Sequence, residues 1–290
     1  MPPNTITEKL AEQLSYDYNC SPYDFFSGTN SVTESLLHPG RRRFSETADI
    51  FKMATIGGGT IISCLPELTG FSKEIAARYG DEIFSQPALS EISTKISEIN
   101  LPPLNQTVNP SDVSLSEISK KLSNNHTEEI SEDYSKTVLA PQFKIAFLPK
   151  KKTSKPNPTD IFYDIRVFEG DDVKKLYGYS GFENALCRKT GKRRDVLAVC
   201  AFYGGEIIGI AGASNDSRIM WQIGIDVDWR FKNNGIAKTL VGILTEEIFA
   251  QKKIPYYVVS PSNIPSLNTA ISCGYSPSFA EVRTGAPAGL

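Results

Sequence analysis

Histidine is nearly absent from this chain: of 290 residues only His38 and His126 are histidines, and both lie in the N-terminal half. That scarcity argues against a Cys-His nucleophile pair, because the cysteine nearest the regular C-terminal elements, Cys273, has no histidine in its half of the chain. The five cysteines (Cys20, Cys64, Cys187, Cys200, Cys273) contain no C-x-x-C pair. Their odd number and wide spacing exclude a zinc knuckle and fit free thiols in a reducing compartment, so neither metal nor disulfide is expected. No apolar run approaches the roughly 18 residues of a membrane helix, and the polar start, with Glu8, Lys9 and Glu12, is unlike a secretory leader. A cytoplasmic protein without a membrane partner is expected. The formal net charge is only -2, which gives no electrostatic reason to expect a nucleic-acid partner.

What is present divides into three zones: an N-terminal α+β cap region over 1–84, a polar helical segment and linker over 85–158, and a regular α/β region over 159–290. In the first zone, apolar runs flank Gly57-Gly58-Gly59. With no Gly-Lys-Ser/Thr following, these glycines predict a β-hairpin rather than a phosphate loop. Ser72 to Phe84 carries Ile75, Ala76, Tyr79 and Ile83 at helical spacing. In the second zone, Ala88 to Ile99 and Ser111 to Leu122 read as thin surface helices, and Lys150-Lys-Lys152 with Pro156-Asn-Pro158 reads as an exposed linker. His38-Pro-Gly-Arg41-Arg42-Arg43 is a basic cluster with two readings, a phosphate-binding fork and a solvated loop, of which the second is preferred. The basic loop Arg188, Lys189, Lys192, Arg193, Arg194 reads likewise as a solvated turn.

From Ile161 the pattern becomes β-α-α-β-β-β-α-β-α-β: Phe162 to Phe168 alternates as a strand, Asp171 to Tyr177 starts like a helix, and Val196 to Tyr203 with Glu206 to Ala213 forms a hairpin about Gly204-Gly205. Ile219 to Val227 is a strand, Gly235 to Gln251 an amphipathic helix, Tyr256 to Ser260 a strand, and Ile264 to Cys273 a helix ended by Gly274. This predicts a mixed α/β sheet.

Between the strand and helix stands Lys232-Asn-Asn-Gly235-Ile-Ala237, and further on Asn263, Ser266 and Gly274-Tyr275. In this element order the two motifs resemble the GNAT superfamily of acyl-CoA-dependent N-acetyltransferases, whose Q/R-x-x-G-x-G/A signature joins the fourth strand to the third helix. The resemblance covers about 160 to 283 and implies a GNAT-like fold with acetyl-CoA as co-substrate. Lys232, Asn233, Asn234, Gly235, Ile236 and Ala237 would hold the pyrophosphate. The main chain of Ile225 and Val227 would pair with the pantetheine arm, and Asn263 with Ser266 would meet it further along. The physical basis is that unpaired N–H groups converge at a helix start, with the positive end of the helix dipole behind them.

Two departures from that pattern stand out. Lys232 replaces the usual glutamine or arginine, and Ala270 occupies the position where many members place the tyrosine that protonates the departing thiolate. Where some members carry a glutamate on the fourth strand, this chain has Trp221 and Gln222. The remaining catalytic candidates are Asp226, Tyr256 and Tyr257, each with a plain structural alternative; Cys273 reads as a small buried hydrophobe. The expected function is transfer of acetyl from acetyl-CoA to an amine, on a small molecule, peptide or protein, by direct attack in a ternary complex. A non-catalytic acyl-CoA-binding module is the alternative, and acceptor identity and oligomeric state are left open.

Overall fold

The computed structural model describes residues 3–45, 47–99, 141–150, 162–188 and 194–284. Among them, one mixed sheet of ten strands runs through the molecule in the order β1-β3-β2-β10-β4-β9-β8-β7-β6-β5. The strands are β1 (Ser31–Glu34), β2 (Phe51–Thr55), β3 (Thr60–Cys64), β4 (Gln142–Pro149), β5 (Asp164–Glu169), β6 (Asp195–Tyr203), β7 (Glu206–Ser214), β8 (Met220–Val227), β9 (Ile254–Val259) and β10 (Tyr275–Thr284). The helices are α1 (Pro3–Tyr18), α2 (Thr69–Tyr79), α3 (Gln86–Ser97), α4 (Ile236–Ala250) and α5 (Ile264–Ser272). The fold is therefore mixed α/β, with the N-terminal strands joined to the sheet of the C-terminal half.

Strand alternation decides which helix covers which face. On β9, Tyr256 packs with Ile6, Leu10 and Leu14 of α1, whereas Tyr257 packs with Leu240 and Leu244 of α4 and Ala270 of α5. On β2, Ala54 faces α1, while Phe51 and Met53 face Ile75 of α2 and Ile92 and Ile96 of α3. Helix α1 thus covers one face and the other four helices cover the opposite one. Each fully buried aliphatic side chain of these layers contributes on the order of 1.5–3 kcal/mol of hydrophobic stabilisation.

The hairpin predicted around Gly57-Gly58-Gly59 is present as β2 and β3, paired antiparallel from Phe51↔Cys64 to Thr55↔Thr60. Three elements differ from expectation. Helix α3 is no thin surface helix, since Ala88, Ile92 and Ile96 are fully buried. The tail of the second zone contains β4, inserted between β9 and β10. Its sequence Gln-Phe-Lys-Ile-Ala-Phe-Leu-Pro carries Phe143, Ile145 and Phe147 at the two-residue period of a strand, and that period outweighs the polar composition around it. In place of the two helices expected after β5, the chain makes a 3-10 turn over Gly170–Leu176 and then irregular backbone over 177–188. That segment buries Val173, Leu176, Phe182, Ala185 and Leu186 against β6 and β7 on the α1 side of the sheet. The helix expected over 111–122, the prolines at 156 and 158 and the lysines at 189 and 192 lie outside the described residues.

Candidate active site

Strand β8 pairs with β7 along nearly its whole length, from Gln222↔Ser214 to Val227↔Gly209. With β9 it pairs, in parallel, only from Met220↔Ile254 to Ile223↔Tyr257. From Tyr257 on, β9 pairs along its other edge with β4, through Tyr257↔Phe147, Val258↔Ala146 and Val259↔Ile145. The two parallel strands part at Ile223 and Tyr257. From Gly224 to Val227 that side of β8 has no strand partner among the described residues, so the main chain of Ile225 and Val227 borders a cleft with unclaimed peptide groups.

The loop Asp228 to Gly235 closes the wide end of this cleft. Asp228 caps a 3-10 turn, Trp229–Phe231, by accepting from the Arg230 amide at 2.9 Å, and the Arg230 guanidinium returns to Asp228 at 2.7 Å. The side-chain amide of Asn234 donates to the carbonyls of Phe231 and Lys232, each at 3.2 Å. Asn233 and Gly235 both adopt left-handed backbone, with φ of 65° and 75°. That conformation is natural to glycine and tolerated by asparagine. The chain then enters α4 at Ile236 with no side chain capping the helix, and the first helical bond there runs from the Thr239 amide to the Gly235 carbonyl at 3.0 Å. Residues 232 to 235 are exposed, Ile236 is buried and Ala237 half-buried. The first turn of α4 thus begins beside the parted strands with no side chain claiming its amides, the arrangement that receives an anion at a helix start.

On the far side of the cleft, Asn263 caps α5 by accepting from the Ser266 amide at 3.2 Å, and the Ser266 hydroxyl donates to the Tyr257 hydroxyl oxygen at 3.0 Å. The second motif and one catalytic candidate thus meet at the throat of the cleft. Burial pushes the Tyr257 phenol above its ordinary pKa, against the opposing effect of the Ser266 hydrogen bond. The phenol is neutral near pH 7, and since its oxygen accepts from Ser266, its own proton is free to donate elsewhere. Ala270 is fully buried in the core between α5 and the sheet. Cys273 lies there too, its thiol pushed up by burial to about 11, which suits a packed side chain and not a nucleophile.

The other two candidates face away from α4. The Tyr256 hydroxyl donates to the buried carboxylate of Asp216 and stands 3.3 Å from the Gln222 side chain, under the guanidinium of Arg42. The Asp226 carboxylate accepts three hydrogen bonds, from the Asn184 amide at 2.7 Å, the Asn184 side chain at 2.9 Å and the Ala185 amide at 2.9 Å. It clamps residues 184 and 185 onto the strands, where Gly212 and Gly224 are cross-strand partners. A Cβ at Gly224 would come within 1.9 Å of the Asn184 carbonyl oxygen, and one at Gly212 within 2.2 Å of the Ala185 oxygen, so the clamp requires glycine at both positions. The sequence reading missed this clamp; two glycines inside otherwise β-forming strands were its signal.

Neither reading of the cluster at 41–43 applies to Arg42. It is 1% exposed and ion-paired with Asp17 and Glu281. Among the described residues, no group of histidine, cysteine and acidic side chains is arranged to hold a metal ion, and no helix is long and apolar enough to cross a membrane.

Residues 162–275 match the family model described as the acetyltransferase (GNAT) family. No curated protein matches the chain. Similar solved structures include a GNAT-family protein of Novosphingobium aromaticivorans, at 11% identity over 49% of this chain and 63% of that one, with a TM-score of 0.37. Another is the GNAT-family acetyltransferase of Colwellia psychrerythraea, at 12% identity over 59% and 62%, with a TM-score of 0.36. A third is AAC(6')-Iy in complex with the bisubstrate analogue CoA-S-monomethyl-acetylneamine, at 18% identity over 41% and 93%, with a TM-score of 0.32. The chain spans less than two thirds of the length of the first two, at 63% and 62%. Similarity at this level bears on neither substrate nor mechanism.

Proposed function

We propose that the protein transfers an acetyl group from acetyl-CoA to an amine, by direct attack of the amine on the thioester in a ternary complex. The observation that carries this reading is the parting of β8 and β9 beside the uncapped start of α4. In this reading the amides of Lys232, Asn233, Asn234, Gly235, Ile236 and Ala237 hold the pyrophosphate, with the Lys232 ammonium adding charge. The pantetheine arm pairs with the main chain of Ile225 and Val227 as an added strand, and Asn263 with Ser266 lines its other side.

Transfer needs a donor for the sulfur as its bond to carbon breaks. With Ala270 in the usual tyrosine position, we assign that donor to Tyr257. Its phenol stands where the strands part, keeps its proton near pH 7 and is oriented by Ser266. Asp226 then acts by holding residues 184 and 185 in place, and Tyr256 by packing and by its bond to Asp216. The proton of the attacking amine leaves through water. The acceptor is an amine on a small molecule, peptide or protein, and the five free thiols fit a cytoplasmic, reducing setting.

One observation favours a second reading, an acyl-CoA-binding module without turnover: Ala270 is sealed in the core, and Tyr256 and Asp226 are already engaged. Release of free CoA from acetyl-CoA, followed with a thiol reagent across a panel of small amines and lysine peptides, separates the two. Amine-dependent release supports the transferase. Tight binding with no release by any amine or by water supports the module.

A further inference from the structure

Strand β5 ends the sheet, and residues 164 to 167 are all exposed although they lie within a regular strand. Its inner edge pairs with β6 without a register break, from Asp164↔Phe202 to Glu169↔Leu197. Among the described residues, nothing pairs with its outer edge. Open edges are usually blunted by proline, by a bulge or by a lysine pointing along the strand. Over Phe162 to Glu169 none of these is present. Apolar side chains are displayed instead: Phe162 is 95% exposed, Ile165 39% and Val167 42%.

We propose that this edge is a dimer interface, at which β5 of a second copy of the chain pairs antiparallel about a two-fold axis through Ile165, joining the two sheets into one. Symmetry and charge select this register. An antiparallel pair related by an axis normal to the sheet sets directly opposed residues on the same face, so the axis must pass through a residue and not between two. Centring on Asp164 or Arg166 would oppose like charges. Centring on Val167 would put Ile165 against Glu169, and centring on Phe168 would put Val167 against Glu169. The axis through Ile165 alone sets Asp164 of each copy against Arg166 of the other, twice. On the same face Phe162 then meets Phe168, and on the other Tyr163 meets Val167 and Ile165 meets itself. Arg166 is already held in place, its guanidinium lying 4.4 Å from the centre of the Phe202 ring. Among the described residues, neither Arg166 nor Asp164 belongs to an ion pair. The segment is thus self-complementary in charge on one face and in apolar contact on both, which identifies a second copy as its partner.

Sedimentation velocity on the full chain tests this. The wild type is expected to sediment at twice the 31.9 kDa of the monomer at tens of micromolar (~10–100 μM, the range of ordinary interface strength). Arg166→Asp creates two facing acidic pairs and is expected to raise the dimer dissociation constant at least about tenfold. Asp164→Arg combined with Arg166→Asp restores opposite charges and is expected to restore the dimer. Both variants change exposed side chains, and an unchanged circular dichroism spectrum confirms that they fold. A monomeric wild type overturns the proposal. So does a dimer indifferent to Arg166→Asp, or a single-variant defect that the charge swap does not repair.

Discussion

Arg42 and Glu281 stand 239 positions apart in the chain and meet in the core, the guanidinium donating to both carboxylate oxygens at 2.6 and 3.3 Å. The Arg42 Nε donates to Asp17 on α1, and Phe44, Tyr256 and Phe279 lie within 5.6 Å of its guanidinium carbon. One buried cation thereby ties α1 to β10 and to the strand that carries Tyr256 and Tyr257. The N-terminal strands and the C-terminal half are joined through this group as well as through the sheet.

Removing that cation leaves two buried carboxylates without their ion-pair partner. Arg42→Met is expected to lower the free energy of unfolding by about 3–5 kcal/mol, measured from denaturant midpoints. Asp17→Asn and Glu281→Gln added to Arg42→Met should recover part of the loss, because the unpaired charge and not the missing contact carries most of the cost.

Asp49 gives the stability a sign in acid. Burial pushes its carboxyl up, but Arg283 at 2.7 Å and Lys52 at 3.0 Å outweigh burial and hold it below the ordinary 3.8. A carboxyl depressed in the folded state adds stability that is fully present above its unfolded value and is lost as pH falls through the folded one. The stability difference between wild type and Asp49→Asn should therefore be constant above about pH 5 and shrink steadily below the ordinary 3.8. Urea midpoints taken down the pH series check this; a gap that persists to the lowest pH would remove Asp49 from the account.

Tyr257→Phe separates binding from chemistry. The ring and its packing against Tyr275 remain, so acetyl-CoA affinity should hold, while turnover falls on the order of a hundredfold for loss of a proton donor. Ser266→Ala should slow turnover by less, since the phenol keeps its proton and loses only its orienting partner. Steady-state rates of CoA release report both.

Gly224→Ala addresses the clamp. The new methyl group would collide with the Asn184 carbonyl, whereas at Gly209 the tight contacts of a methyl group, at 3.0 and 3.1 Å, are with side-chain atoms. Gly224→Ala is expected to cost about 1–3 kcal/mol as an overpacked site and to raise the amine KM more than it weakens acetyl-CoA binding. Gly209→Ala, whose contacts can give, should be milder in both.

Much of the C-terminal half was legible because its signals are local. The turn glycines, the periodicity of α4 and the glycine that ends α5, Gly274, each depend on neighbours within a few residues. Phe143, Ile145 and Phe147 carry an equally local period in β4, but the lysines and prolines that follow them mask it. Arg42 was not legible at all: next to Arg41 and Arg43 it reads as surface charge, and only the fold brings Asp17 and Glu281 to it. The clamp of Asp226 on Asn184 was hidden for the same reason, being a contact between segments 42 residues apart.

The proposed function rests on acyl-CoA binding in the cleft beside Gly235. Calorimetric titration of the full chain with acetyl-CoA tests it most directly, run beside Gly235→Val, in which a branched side chain must occupy backbone with φ of 75°. The wild type should bind with a dissociation constant in the micromolar range, about -8 kcal/mol, and Gly235→Val should weaken this roughly tenfold or more, the equivalent of the strain of a left-handed branched residue, while remaining folded. No binding heat from the wild type with ligand at about millimolar concentration, or equal affinity in the two proteins, would contradict the account.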